Sequence, residues 1–164
     1  MTTNESKVVI IGLGNTYRSD DGVGIVVLRR LRKRVPAGVT TIEESGEGAA
    51  LLDAWKGATT AILVDAVHSE APPGAIRRLD ASVEPIPSRF FHHSTHAFGV
   101  AEAVELARAL SELPPRLVVY GIEARNFSAG KALSAQVEQA AGAVVAQVLK
   151  EMPAFLRGAG TADP

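Results

Sequence analysis

Short apolar runs and longer amphipathic stretches alternate along the chain, and each pattern predicts a different element. Runs of β-branched and aliphatic residues are typical of buried strands, which we expect at residues 8–12, 39–43, 60–64, 75–79 and 116–120. Apolar residues spaced three or four apart predict helices, which we expect from about residue 21 to 35, and over 49–56, 96–112 and 134–151. The stretches between these elements, including residues 80–91 and 121–133, are expected to be loops.

Small polar residues indicate where three of these helices begin. Ser19 or Asp20 is placed to cap the first helix, Ser94 or Thr95 the third, and Ser134 the last. Such side chains accept a hydrogen bond from the otherwise unpaired N–H groups of a first helical turn.

The order of the elements predicts the fold class. Strands that alternate with helices give an α/β protein, here a three-layer α/β/α sandwich around a five-stranded, mostly parallel sheet. The run at 60–64 is almost wholly apolar, as in a central strand that is buried on both faces. Only about ten residues lead to the run at 75–79, too few for a helical crossover, so we expect one antiparallel strand at an edge. We expect residues 1–151 to form a single α/β domain and residues 152–164 a flexible tail.

Composition and charge exclude several classes of protein. The 164 residues carry a net charge of −1, so no excess of one charge favours nucleic acid or a membrane surface as a partner. There is no cysteine, which excludes disulfides, thiolate metal sites and a cysteine nucleophile. No apolar run approaches the ~18 residues of a membrane-spanning helix. We therefore expect a cytoplasmic protein.

A glycine-rich turn follows the first strand, but it does not fit the common nucleotide-binding motifs. Gly12 and Gly14 open a G-x-G sequence, whereas Tyr17 stands where the dinucleotide motif requires a third glycine. Asp20 and Asp21 follow, and their charges would repel a pyrophosphate. The P-loop, G-x-S-x-G and H-E-x-x-H motifs are absent, so we expect no organic cofactor.

Three dispersed side chains are the candidates for chemistry. Asp21 follows the first strand, Asp65 ends the third, and His96 stands at the predicted start of a helix. If the two strands are neighbours, both carboxylates face the crevice beyond their carboxyl ends, where open α/β sheets bind ligands. Two carboxylates and an imidazole suit nickel, zinc, iron or manganese. Each residue also has a simpler interpretation: a helix-dipole acid, a strand-end cap and a surface histidine. His92 and His93 are interpreted as loop histidines.

A basic cluster ends the first helix. It comprises Arg29, Arg30, Arg32, Lys33 and Arg34. Cations suit the negative end of a helix dipole, so a solvated helix end is the favoured interpretation, with a docking patch for a partner as the alternative.

Several segments together resemble the endopeptidases that mature nickel-iron hydrogenases. They are VVIIGLGNTYRSDDGVG, ILVDAVHSEAPPG and STHAFGVAEAVELA, with GIEARNFSAGKALSAQVEQA before the last helix. That family has G-x-G-N and D-[DE]-x-x-G after its first strand, an aspartate closing the third strand, and an H-x-x-G segment before a helix. One segment departs from the family pattern: residues 44–48, ESGEG, replace an Asp-Gly-Gly-Thr-like loop associated with substrate recognition.

The resemblance implies an aspartyl-type, metal-dependent endopeptidase. Its substrate would be the precursor of a hydrogenase large subunit, from which it removes a C-terminal extension once nickel is in place. Carried over by motif, Asp21, Asp65 and His96 are the catalytic and metal-binding residues. The nickel is supplied by the substrate, and cadmium or zinc can act as a surrogate at the same three ligands. Asp20 is expected behind these ligands or at the helix cap, Asn15 is expected to brace the loop, and we expect a monomer.

The residues leave the mechanism and two other functions open. Nickel can polarise the scissile carbonyl or activate water as a Lewis acid, or it can be a recognition handle while a carboxylate acts as base. The alternative functions are a non-proteolytic metal- or partner-binding module and a metal-dependent hydrolase of a small substrate.

Overall fold

Five strands and four helices form the described part of the chain. The computed structural model describes residues 5–91 and 96–157. The strands are β1 (Val8–Leu13), β2 (Thr40–Glu44), β3 (Thr60–Val67), β4 (Ile76–Asp80) and β5 (Arg116–Glu123). The helices are α1 (Val23–Arg32), α2 (Gly48–Ala54), α3 (Val100–Ala109) and α4 (Ala135–Leu156). Short 3-10 turns cover Ser19–Gly22 and Ser88–Phe91.

The sheet has the strand order β2-β1-β3-β5-β4, which confirms the predicted fold class. The first four strands in this order are parallel, and β4 pairs with β5 in the antiparallel sense. In the β1–β3 register Gly12 lies opposite Val64, so the two strands end at the same edge of the sheet. The carboxyl ends of three neighbouring parallel strands therefore frame one crevice.

Two apolar cores fill the space on either side of the sheet. Alternate residues of each strand point to opposite faces: Val8, Ile10, Ile62 and Val64 pack against α1 and α4. Their neighbours Val9, Ile11, Ala61 and Leu63 pack against α2 and α3. β3 is buried along its whole length, as expected for a central strand covered on both faces.

Glycine allows α1 to lie unusually close to the sheet. A Cβ on Gly24 would stand 2.2 Å from the carbonyl oxygen of Val64 and 2.4 Å from that of Leu13. A Cβ on Gly12 would meet the Gly24 carbonyl oxygen at 2.5 Å. These contacts bring the start of α1, and the acidic turn before it, directly over the ends of β1 and β3.

Several predicted boundaries differ from the structure. α3 begins at Val100 rather than His96, because the Glu102 carboxylate accepts a hydrogen bond from Gly99 N (3.1 Å) and caps the helix there. The proposed caps Ser94 and Thr95 lie outside the described residues. β5 continues to Glu123, since both neighbouring strands extend its pairing.

The last helix is longer than predicted. α4 starts after Ser134 as expected, but the prediction that the Ser134 side chain caps it is wrong, because its hydroxyl donates to the Asp20 carboxylate and makes no cap hydrogen bond. The helix also continues past the expected end at 151 to Leu156. Met152 and Phe155 are buried, and the Arg116 guanidinium lies 5.8 Å from the centre of the Phe155 ring. Residues 152–156, predicted to be tail, therefore complete one of the two cores. No helix in the described part of the chain is both long enough and apolar enough to cross a membrane.

Candidate active site

One cavity at the carboxyl edge of the sheet brings the three sequence candidates together. We call it the central cavity; its volume is about 250 Å³. It is lined by Gly14, Asn15, Arg18, Asp21, Ser45, Gly46, Asp65, Phe91, His96 and Val100. Asp21, Asp65 and His96 thus line one crevice, as predicted. His92 and His93 lie outside the described residues.

Asp21 reaches the cavity from the 3-10 turn Ser19–Gly22, so the predicted α1 begins two residues later, at Val23. Its carboxylate Oδ2 accepts a hydrogen bond from Asn15 N (3.0 Å). The backbones are in close contact here, since a Cβ on Gly14 would lie 1.9 Å from the Asp21 carbonyl oxygen, and Gly14 has a φ of +132°. Asn15 braces the loop as predicted, with its side-chain oxygen accepting from Tyr17 N (2.9 Å).

Asp20, the adjacent acid, has a structural role. The prediction that Ser19 or Asp20 caps the first helix is wrong, because neither side chain makes a cap hydrogen bond. Instead the Asp20 carboxylate accepts hydrogen bonds from Arg125 N, Asn126 N, Ser134 N and Ser134 Oγ, at 2.7 to 2.9 Å. Burial raises the pKa of Asp20, but these four hydrogen bonds outweigh it and hold the pKa below its ordinary value. Asp20 thereby ties the acidic turn to the segment that precedes α4.

Asp65 is the most strongly perturbed acid of the cavity. It lies within β3, which continues two residues past the predicted strand end, and only 7% of its surface is exposed. Burial raises its pKa well above the ordinary value, and the nearby charge of Asp21 raises it further. A hydrogen bond from Ala66 N to Asp65 Oδ1 (2.8 Å) acts in the opposite direction. Asp65 therefore holds a proton to higher pH than an ordinary aspartate.

His96 is half-buried in the loop before α3. This loop packs against the loop that follows β2. Gly48 N donates to Phe98 O (2.8 Å), and a Cβ on Gly48 would stand 2.2 Å from the Phe98 ring. Glu47 caps α2 by accepting from the N–H groups of Ala49 and Ala50. These bonds, with a smaller contribution from His96, lower the pKa of Glu47. The loop that departs from the family pattern thus supports the candidate histidine.

The donor set suits a cation that enters the cavity. Two mutually repelling carboxylates, both of them buried, are stabilised by a positive charge placed between them. Among the described residues, however, no group of three or more His, Cys, Asp or Glu side chains is close enough to hold a metal ion. A shared metal ligation by Asp21, Asp65 and His96 would need these side chains to approach one another. The metal-binding role of the three residues stays a prediction.

Sequence reasoning did not identify two side chains of the cavity. Arg18, half-buried, brings a positive charge to its lining, and Phe91 contributes an aromatic ring. The sequence did offer a signal for Arg18, because it lies in the polar loop between Asn15 and Asp21. Phe91 gave no signal, because its loop carries no motif and reaches the cavity only through the folded chain.

Comparison with known proteins identifies a family. The model of the hydrogenase maturation protease family matches residues 25–151. The hydrogenase 2 maturation protease of Escherichia coli is 25% identical over 158 residues, which are 94% of this chain and 93% of that protein. The hydrogenase expression/formation protein HupD of Thiocapsa roseopersicina is 25% identical over 73% of this chain. The match covers 55% of HupD, so this chain spans about half the length of that relative.

The fold is also similar to that of solved structures. The hydrogenase maturating endopeptidase HybD from Escherichia coli superposes with a TM-score of 0.76, over 90% of this chain and 93% of HybD. At 22% identity, this likeness concerns the fold alone.

Proposed function

The chain belongs to the hydrogenase maturation protease family, and we propose that it removes the C-terminal extension from the nickel-loaded precursor of a hydrogenase large subunit. The observation that most supports this function is the central cavity, where two carboxylates and an imidazole from distant parts of the chain meet at the carboxyl edge of the sheet. The cavity opens to the surface, as a site for a polypeptide substrate must.

The proposed chemistry is hydrolysis of one peptide bond. The oxygen of a water molecule attacks the scissile carbonyl carbon, the C–N bond breaks, and the leaving nitrogen takes up a proton. Asp21, Asp65 and His96 contact the nickel ion that the substrate carries. In the ion-free cavity Asp65 retains its proton to higher pH than an ordinary aspartate. Contact with the nickel ion favours its ionised form, which can accept a proton from the attacking water. Arg18 lines the same cavity and is placed to hold a carbonyl oxygen of the substrate.

Nickel has one of two roles in this scheme. It polarises the scissile carbonyl or the attacking water, or it only positions the precursor while a carboxylate takes the proton from water. Processing rates of precursors that carry nickel, zinc or cadmium separate the two roles. A Lewis-acid role requires the rate to follow the polarising power of the ion, whereas a recognition handle gives the same rate with every ion that the precursor holds in place.

The test is processing of a purified precursor, followed by the mass of the product. We expect wild type to give one shorter product from the nickel-loaded precursor, and Asp21→Asn, Asp65→Asn and His96→Ala each to slow this reaction at least about 100-fold. Asp53→Asn, an exposed acid on α2, is the matched control and should leave the rate unchanged. Normal processing by all three cavity variants would show that the site assignment is wrong.

The same assay distinguishes the alternative functions. A non-proteolytic binding module would bind the precursor without shortening it. A metal-dependent hydrolase of a small substrate would show turnover with added metal and no protein partner.

A further inference from the structure

A second concave surface lies between α1 and α4, outside the central cavity. We call it the basic groove; its volume is about 620 Å³. Val26, Gly142 and Val145 form its apolar floor, and its rim carries four cations: Arg29, Arg30, Lys33 and Arg34.

The positive charge of this rim is only partly neutralised. Arg29 pairs with Glu43 (2.8 Å) and Arg30 with Glu138 (2.5 Å), in exposed ion pairs that contribute little stability. Neither Lys33 nor Arg34 forms an ion pair with any residue of the described ranges 5–91 and 96–157. Since the whole chain has a net charge of −1, the groove is a local positive surface on a nearly neutral protein.

Gly142 gives the groove its depth. Glycine in a helix interior costs about 1 kcal/mol relative to alanine, so its presence in α4 needs a reason. Close packing within the described chain is not the reason, because a Cβ on Gly142 would have nothing within 4 Å. A glycine facing open space on a groove floor instead allows another molecule to approach the helix backbone.

The basic groove is separated from the central cavity by a third concave surface. A side groove of about 380 Å³ lies between them. It shares Gly14, Asn15 and Ser45 with the central cavity and Arg29 with the basic groove. The three concave surfaces therefore lie side by side, with Arg29 between the side groove and the basic groove.

We infer that the basic groove is a docking site for an acidic segment of the large-subunit precursor, away from the bond that is cut; this inference rests on the proposed function. Carboxylates of the segment pair with Lys33 and Arg34, and an apolar side chain packs on Val26 and Val145 above Gly142. Such an exosite strengthens binding of the folded precursor without touching the reacting atoms, so it acts on KM rather than on kcat.

The experiment measures KM and kcat for the same precursor with two groove variants. Lys33→Glu/Arg34→Glu reverses two charges, and Gly142→Leu fills the groove. For each we expect KM to rise about tenfold with kcat unchanged. The KM of the charge-reversal variant should also lose much of the salt dependence that wild type shows. Lys150→Glu, an exposed cation elsewhere on α4, is the matched control and should keep the wild-type KM. Thermal unfolding checks that each variant is folded.

The outcomes separate this inference from the proposed function. If wild type does not shorten the precursor at all, the proposed function fails and the inference falls with it. If wild type processes the precursor and both groove variants keep its KM, the docking site alone is wrong. Binding of wild type to anionic phospholipid vesicles, lost in the charge-reversal variant while KM for the precursor stays the same, would assign the groove to a membrane surface and also overturn the inference.

Discussion

Asp20 and Asp21 are adjacent acids with different expected roles, structural for Asp20 and catalytic for Asp21. The variant Asp20→Ala tests the structural role. The four hydrogen bonds to the Asp20 carboxylate join the 3-10 turn to residues 125–134. A hydrogen bond to a charged group contributes about 1.5–3 kcal/mol. Arg125 and Asn126 are exposed, so water can replace their bonds, whereas Ser134 is half-buried. Its two bonds alone set the expected loss of unfolding free energy at about 3–6 kcal/mol.

Equilibrium unfolding in urea, followed by the fluorescence of Trp55, measures this loss. Trp55 is the single tryptophan of the chain and is buried, so its emission reports loss of the core. We expect Asp21→Asn to change the unfolding free energy by less than about 1 kcal/mol, because Asn15 N keeps an oxygen acceptor at this position. Asp53→Ala, at an exposed position, is the control for removal of a carboxylate.

The pH dependence gives a second, independent check. The pKa of Asp20 is lowered by folding, so its ionised form is favoured in the native state. The contribution of Asp20 to the unfolding free energy is complete above the pKa of about 3.9 that it has in the unfolded chain. This contribution is lost as the pH falls through the lower pKa that Asp20 has in the folded protein. The difference in unfolding free energy between wild type and Asp20→Ala should therefore become smaller below about pH 3.9. Two results would refute the reasoning. One is that Asp20→Ala loses less than about 1 kcal/mol of unfolding free energy at pH 7, and the other is that its difference from wild type does not become smaller in acid.

Three other changes have expected outcomes. Gly24→Ala should cost about 1–3 kcal/mol in urea unfolding, since the new Cβ meets the backbone carbonyl of Val64; an unchanged midpoint would contradict the close packing of α1. Asp65→Asn should gain stability relative to wild type as the pH rises above about 4, because the pKa of Asp65 is raised in the folded state; a difference that is constant with pH would contradict this. Phe155→Ala should cost about 3–5 kcal/mol, measured as a lower melting temperature, and no loss would mean that the last turn of α4 is not part of the core.

Much of the fold could be predicted because its signals are local. The short connection before β4 was enough to predict an antiparallel strand, and the apolar run of β3 to predict a central one. Their positions in the predicted elements, together with the family resemblance, identified three residues that line the central cavity: Asp21, Asp65 and His96.

The errors concern signals that depend on distant parts of the chain. The sequence predicts a helix cap at Ser19 or Asp20, with a place behind the three ligands as the alternative for Asp20. It does not show the actual role of Asp20, because its partner Ser134 is far along the chain and close only in the fold. The start of α3 was placed at His96, because Gly99 has no capping side chain and the contribution of Glu102 depends on loop geometry. The sequence predicts that the last turn of α4 belongs to a flexible tail, because Pro153 and the following glycines indicate that the helix ends before them. The packing of Phe155 outweighs that local signal.

The strand order has a consequence for the newly synthesised chain. β5 is the last strand to be made, and it inserts between β3 and β4. β4 has no other partner within the described sheet, and β3 lacks a neighbour on one side until β5 arrives. Pairings between distant segments form slowly because the intervening chain must first be closed into a loop. The sheet can therefore close only after β5 (Arg116–Glu123) has left the ribosome, and we expect a nascent chain that stops before Arg116 to leave β3 and β4 without their shared neighbour.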